Sequence, residues 1–188
     1  DINLNDAETN NHDFIFHPIG YYFTPDKEGD GTNVAYSTVY SFEGIFDGNG
    51  HTVANFYQNT WEIKGDYNDG YPAGSNYYKD GFGLFGYVYN GTVKNLIVSN
   101  FTSDGEFTPT GIIAAYAGGE STFENINVFN CTPRVYQTAD GGIVGLNSSK
   151  TEKCKLTFRN ITVDQSNTIS ALWGNWGLAG GNIMGWLR

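Results

Sequence analysis

The strongest constraint on how this chain folds is a line of sequence that it writes several times. Gly44-Ile45-Phe46-Asp47, Gly83-Leu84-Phe85-Gly86, Gly111-Ile112-Ile113-Ala114 and Gly142-Ile143-Val144-Gly145 each set a glycine before two apolar residues and a small or turn residue. Asn182-Ile183-Met184-Gly185 is a weaker fifth copy. A second element follows each of the first four: Val53-Ala54-Asn55-Phe56, Val93-Lys94-Asn95-Leu96, Phe123-Glu124-Asn125-Ile126 and Phe158-Arg159-Asn160-Ile161. The Gly-to-Asn separations are 11, 12, 14 and 18 residues, and successive glycines lie 39, 28 and 31 apart. A unit of about 30 residues cannot bury its own apolar face, so it must stack on its neighbours.

The local pattern selects strands. The apolar segments are short, β-branched and aromatic, and Gly, Asn and Asp break them before a helical period of 3.6 can establish itself. Within the second element, Val93, Leu96 and Val98 cannot all point inward on a strand whose side chains alternate with period two. Something resets the phase. Asn tolerates a left-handed or bulged conformation at modest cost, so Asn95, Asn125 and Asn160 read as corners whose amides hydrogen-bond from unit to unit as a ladder. These observations predict an all-β parallel β-helix of five or six coils, a solenoid with little or no α-helix.

The runs Phe42–Phe56 (FEGIFDGNGHTVANF) and Gly83–Val98 (GLFGYVYNGTVKNLIV) resemble the Gly-Leu-Phe-Gly type, or GLUG-motif, repeats of large bacterial surface proteins. Such repeats include those flanking the metallopeptidase domain of streptococcal immunoglobulin A proteases. The likeness covers roughly residues 42–163, and it implies a right-handed β-helix on an exported protein, at the cell surface or outside the cell. It does not imply the peptidase activity, since no His-Glu-x-x-His occurs in the sequence.

With 188 residues and 39% hydrophobic content the chain is sized for one domain, residues 1–188. It begins at Asp1 rather than Met, which reads as a piece of a longer protein. A net charge of −10 with only ten Lys and Arg, scattered along the chain, speaks against nucleic acid and anionic membranes. No apolar run approaches the length needed to span a bilayer. Cys131 and Cys154 are too few for a disulfide framework and lack metal-site spacing.

Parallel β-helices also carry polysaccharide lyases and glycoside hydrolases, but fold does not confer activity. Hydrolysis needs two carboxylates flanking the scissile bond. Glu43, Asp47, Asp104, Glu106, Glu124 and Asp140 fall at different phases of the repeat, and Arg134, Arg159 and Arg188 are the only arginines to hold a uronate. No catalytic residue is therefore assigned, and the chain is not read as an enzyme. His51 follows Asp47-Gly48-Asn49-Gly50, a strong turn signal, and reads as a turn-flanking residue. Asp26, Glu28 and Asp30 alternate ahead of Gly31 like the start of a calcium loop, but the twelfth position is Ser37 rather than Glu. They read as an acidic turn, with calcium the weaker alternative and no other cofactor. The five Asn-x-Ser/Thr sequons, at Asn90, Asn100, Asn130, Asn147 and Asn160, arise from a repeat rich in Asn, Ser and Thr.

The most informative departure from the repeat is an insertion at about 57–80, which lengthens the first period to 39 residues. It holds Trp61, Tyr67, Tyr71, Tyr77 and Tyr78 among Asp, Asn and Gly. Loops on repeat proteins carry what the stack cannot, and binding is commonly placed there. Aromatic faces suit sugar C–H groups, while Asn and Asp suit hydroxyls. These five residues are the candidate ligand site, with a glycan or a surface protein as partner. The expected function is a non-catalytic binding or adhesion module; the first alternative is a structural spacer of a large surface protein, and the second a polysaccharide lyase or glycoside hydrolase. Trp173, Trp176 and Trp186 form a second aromatic group, read either as a cap or as the start of further coils.

Overall fold

The computed structural model describes residues 1–4, 16, 18–23, 38–59, 81–106, 109–136, 139–147, 154–172 and 179–186. Among them are seventeen strands and no helix. Eight strands form one parallel sheet: β1 (Ile2–Asn3), β4 (Ile45–Asp47), β5 (Thr52–Asn59), β7 (Thr92–Glu106), β10 (Glu120–Phe129), β11 (Arg134–Tyr136), β14 (Lys155–Val163) and β15 (Ser170–Leu172). Its main path runs β1-β5-β7-β10-β14. A four-stranded parallel sheet comprises β6 (Phe85–Tyr89), β9 (Ala114–Gly118), β13 (Val144–Asn147) and β17 (Met184–Trp186). A three-stranded one comprises β8 (Thr110–Gly111), β12 (Ala139–Gly141) and β16 (Ala179–Gly181). The remaining pair, β2 (Tyr21–Phe23) and β3 (Thr38–Tyr40), is antiparallel.

This topology corrects the expectation of a right-handed parallel β-helix of five or six coils. The strands lie in flat, mainly parallel sheets of eight, four and three members, and not in a series of equivalent coils. The physical cause is clearest in the first unit. The turn at Gly48–His51, with Asn49 and Gly50 at φ 49° and 75°, divides the unit's strand in two. Both halves, β4 and β5, then pair with the single 15-residue β7, through Ile45↔Thr92 to Asp47↔Lys94 and Thr52↔Ile97 to Asn59↔Asp104. β7 also takes β10 and β11, so it has four partners. Parallel pairing demands long crossovers. Here strands of the smaller sheets make them.

The register also revises the repeat. Phe46 stacks in the column of Val93, Phe123 and Phe158, so Gly44–Asp47 matches the start of β7 and not Gly83–Gly86. Gly111 pairs with Gly141 and Gly181, one position earlier than the match to Gly142 that sequence spacing suggests. Glycine is required in that column. A Cβ would lie 2.2, 2.0 and 2.1 Å from the carbonyl oxygens of Ala114, Val144 and Met184 respectively.

The core follows from the columns. Val93, Phe123, Val98, Val128, Phe101, Phe85 and Ala114 are all fully buried. Phe123 stacks on Phe158 with ring centroids 5.4 Å apart, and Phe56 on Phe101 at 4.6 Å. Parallel in-register pairing puts like residues above one another, so an aromatic in one unit packs on the aromatic of the next.

Candidate functional site

The five aromatic candidates, Trp61, Tyr67, Tyr71, Tyr77 and Tyr78, lie outside the described residues, as do Asp26, Glu28 and Asp30 and the pair Trp173 and Trp176. The structure does describe the base from which the insertion departs. Its first residues belong to the sheet: β5 runs to Asn59, so the insertion begins three residues later than the sequence suggests, at 60. Gln58 is fully buried. Its Oε1 accepts from the Gly83 amide at 2.7 Å, and its Nε2 donates to the Gly83 carbonyl at 3.2 Å and the Phe16 carbonyl at 3.0 Å. One side-chain amide thus ties the strand entering the insertion to the residue that leaves it. Nothing in the sequence marked Gln58 as interior, because a polar residue beside an Asn/Gly-rich stretch reads as loop. On the return side, a Cβ on Gly81 at φ +74° would meet that of Ala115 at 2.0 Å.

The Asn corners are real features of the backbone and form two columns. Asn55, Asn95, Asn100, Asn125, Asn130 and Asn160 all have positive φ, between 49° and 61°. In one column Asn95 Nδ2 donates to Asp47 Oδ1 at 2.9 Å, Asn125 to Asn95 Oδ1 at 2.8 Å and Asn160 to Asn125 Oδ1 at 2.9 Å. In the other, Asn55 donates to Asn3 at 2.9 Å and Asn100 to Asn55 at 2.8 Å. Asn55 therefore belongs with Asn100 and not with Asn95, whose column is headed by Asp47. The Asn95 amide, then the backbone N–H of Asn49 and the Lys94 ammonium, hold the Asp47 carboxyl below its usual range.

Among the described residues the remaining carboxylates do not converge. Glu43 accepts from Ser41 Oγ at 2.7 Å, Asp104 is 3.6 Å from Arg134, and Glu124 is 3.8 Å from Arg159. Asp140 is fully buried, with Oδ2 accepting from the Ser170 amide at 3.1 Å and Oδ1 without a partner among the described residues. Burial raises its pKa to about 7. His51 is exposed and 3.5 Å from the Asp1 carboxylate. Among the described residues no group of three or more His, Cys, Asp or Glu is placed to hold a metal, and no helix is long and apolar enough to cross a membrane. Both cysteines are free thiols, and burial pushes Cys131 up to about 11.

Of the sequon residues, Asn100 and Asn160 have their side-chain nitrogens engaged in the columns and Asn147 is buried. A shallow groove of about 390 Å³ between the ends of β10 and β14 is lined by Asn127, Phe129, Asn130, Thr162, Asp164 and Ser166. Phe129 in it is 37% exposed. Comparison of the chain with protein-family models, curated proteins and solved structures finds no match.

Proposed function

We propose that the chain is a non-catalytic binding module of an exported bacterial surface protein, engaging a glycan or another surface protein through the 60–80 insertion. The observation that carries this reading is the Gln58 clamp: a fully buried amide joins the two ends of an aromatic-rich insertion to the sheet. A binding loop gains affinity when its base is held in place before the ligand arrives, because less ordering is left to the binding step. The resemblance of Phe42–Phe56 and Gly83–Val98 to GLUG-type repeats supports the exported, bacterial setting. The acidic chain suits a neutral or cationic partner.

Glycan-array and whole-cell binding test the reading. Trp61→Ala with Tyr71→Ala is expected to weaken binding on the order of 30-fold, the effect of losing aromatic anchors worth about 2 kcal/mol. Phe129→Ala, in the groove at the other end of the sheet, is expected to leave binding unchanged. Loss of binding on Phe129→Ala alone would move the site to that groove. Binding by the doubly substituted chain at parental strength would favour the second reading, a structural spacer, which the Asn95–Asn125–Asn160 ladder supports.

A further inference from the structure

β14 closes the eight-stranded sheet and pairs only with β10 among the described residues. Its inward side chains Phe158, Ile161 and Val163 are half-buried, whereas Phe123, Ile126 and Val128, their register partners in β10, are fully buried. The strand Lys155–Val163 carries two cations, Lys155 and Arg159, and no acid, in a chain of net charge −10. Across the β10 interface each cation faces a glutamate, by Glu120↔Lys155 and Glu124↔Arg159. Register extends this into an alternating column, Asp47, Lys94, Glu124 and Arg159, with contacts of 3.3 Å between Lys94 and Asp47 and 3.8 Å between Arg159 and Glu124. The adjoining amide column ends open as well. Asn160 gives its Nδ2 to Asn125, and among the described residues nothing donates to its Oδ1.

We propose that this edge is a docking site for an extended acidic segment of a partner, added to β14 as a parallel strand. Three features of the edge specify the segment. The charge column calls for an acid opposite Arg159 and another opposite Lys155. The amide column calls for an Asn directly after the first of these, in the left-handed conformation, to donate to Asn160 Oδ1. The half-buried Phe158, Ile161 and Val163 call for apolar residues in the alternate positions. Strand addition supplies affinity through main-chain hydrogen bonds and specificity through such side-chain positions. A second copy of this chain fits less well. Its own exposed edge presents Asp47, whose carboxylate already accepts from Asn95 and has no N–H to give Asn160. None of its residues belongs to the 60–80 insertion, so the two readings fail independently.

The probe is a labelled peptide with the sequence of β10, ESTFENINVF, titrated with the full chain by fluorescence anisotropy. It should bind, protect the β14 amides from hydrogen exchange, and weaken as salt is raised. The same peptide with both glutamates replaced by lysine should bind on the order of tenfold more weakly. Lys155→Glu with Arg159→Glu should reverse that preference. Should this variant lose its fold, Lys155→Gln with Arg159→Gln must remove the difference between the two peptides. No binding at about 1 mM peptide, or equal binding of both peptides by the parent chain, overturns the proposal. Concentration-dependent self-association that the peptide displaces would overturn it in favour of a second copy.

Discussion

An asparagine at a corner has two jobs that mutation can separate. It occupies φ near +50°, which costs an ordinary L-residue about 1–2 kcal/mol, and it carries an amide that both gives and receives. Asn125 does both within its column, while Asn160 only gives. Asn125→Leu is therefore expected to cost about 1–3 kcal/mol, and Asn160→Leu measurably less, since a single hydrogen bond contributes about 1 kcal/mol net. Denaturant midpoints at constant slope read the difference. Equal losses at the two sites would assign the whole effect to backbone conformation and none to the ladder. These corners were legible in the sequence because Val93, Leu96 and Val98 break the period-two rule in plain view. The second column was not, because Asn55 stands at the spacing expected of the first and the true head of that column is an aspartate.

At the scale of the element, the clamp on the insertion rests on one glutamine. Replacing Gln58 with Leu keeps the site filled but leaves the Gly83 N–H and carbonyl buried without their side-chain partner, at a cost on the order of 2–4 kcal/mol. The expected signs are a lower melting temperature and faster exchange at the Gly83 amide. Exchange at Gly83 unchanged from the parent would show that the side chain does not secure the base. Sequence reasoning found the insertion but not its anchor, because burial of an amide leaves no trace in composition. It also placed the insertion's start inside β5, where Tyr57 and Asn59 continue the strand in register with Thr102 and Asp104.

For the molecule as a whole, repeat spacing revealed that units stack but misjudged how the strands divide among sheets. The turn at Gly48–His51 decides that division in the first unit, and period alone does not weigh it. One further group acts on the entire fold. Asp140 keeps its proton in the folded chain up to about pH 7, against an ordinary value of 3.8. Between those limits unfolding releases that proton, so its contribution makes stability fall as pH rises, by at most about 1.4 kcal/mol per unit. Asp47 and Asp164, both shifted downward, act in the opposite sense and below this window. Melting temperatures at pH 5 and pH 8 should show a decline that Asp140→Asn flattens; an equally steep decline in the variant would clear Asp140 of the effect. The direction of the amide columns carries a different implication, for biosynthesis. Every side-chain bond in them runs from a later residue to an earlier one: 95 to 47, 125 to 95, 160 to 125, 55 to 3 and 100 to 55. A chain leaving the ribosome therefore meets each acceptor already made when its donor emerges, and the ladder can close rung by rung behind the advancing end of translation.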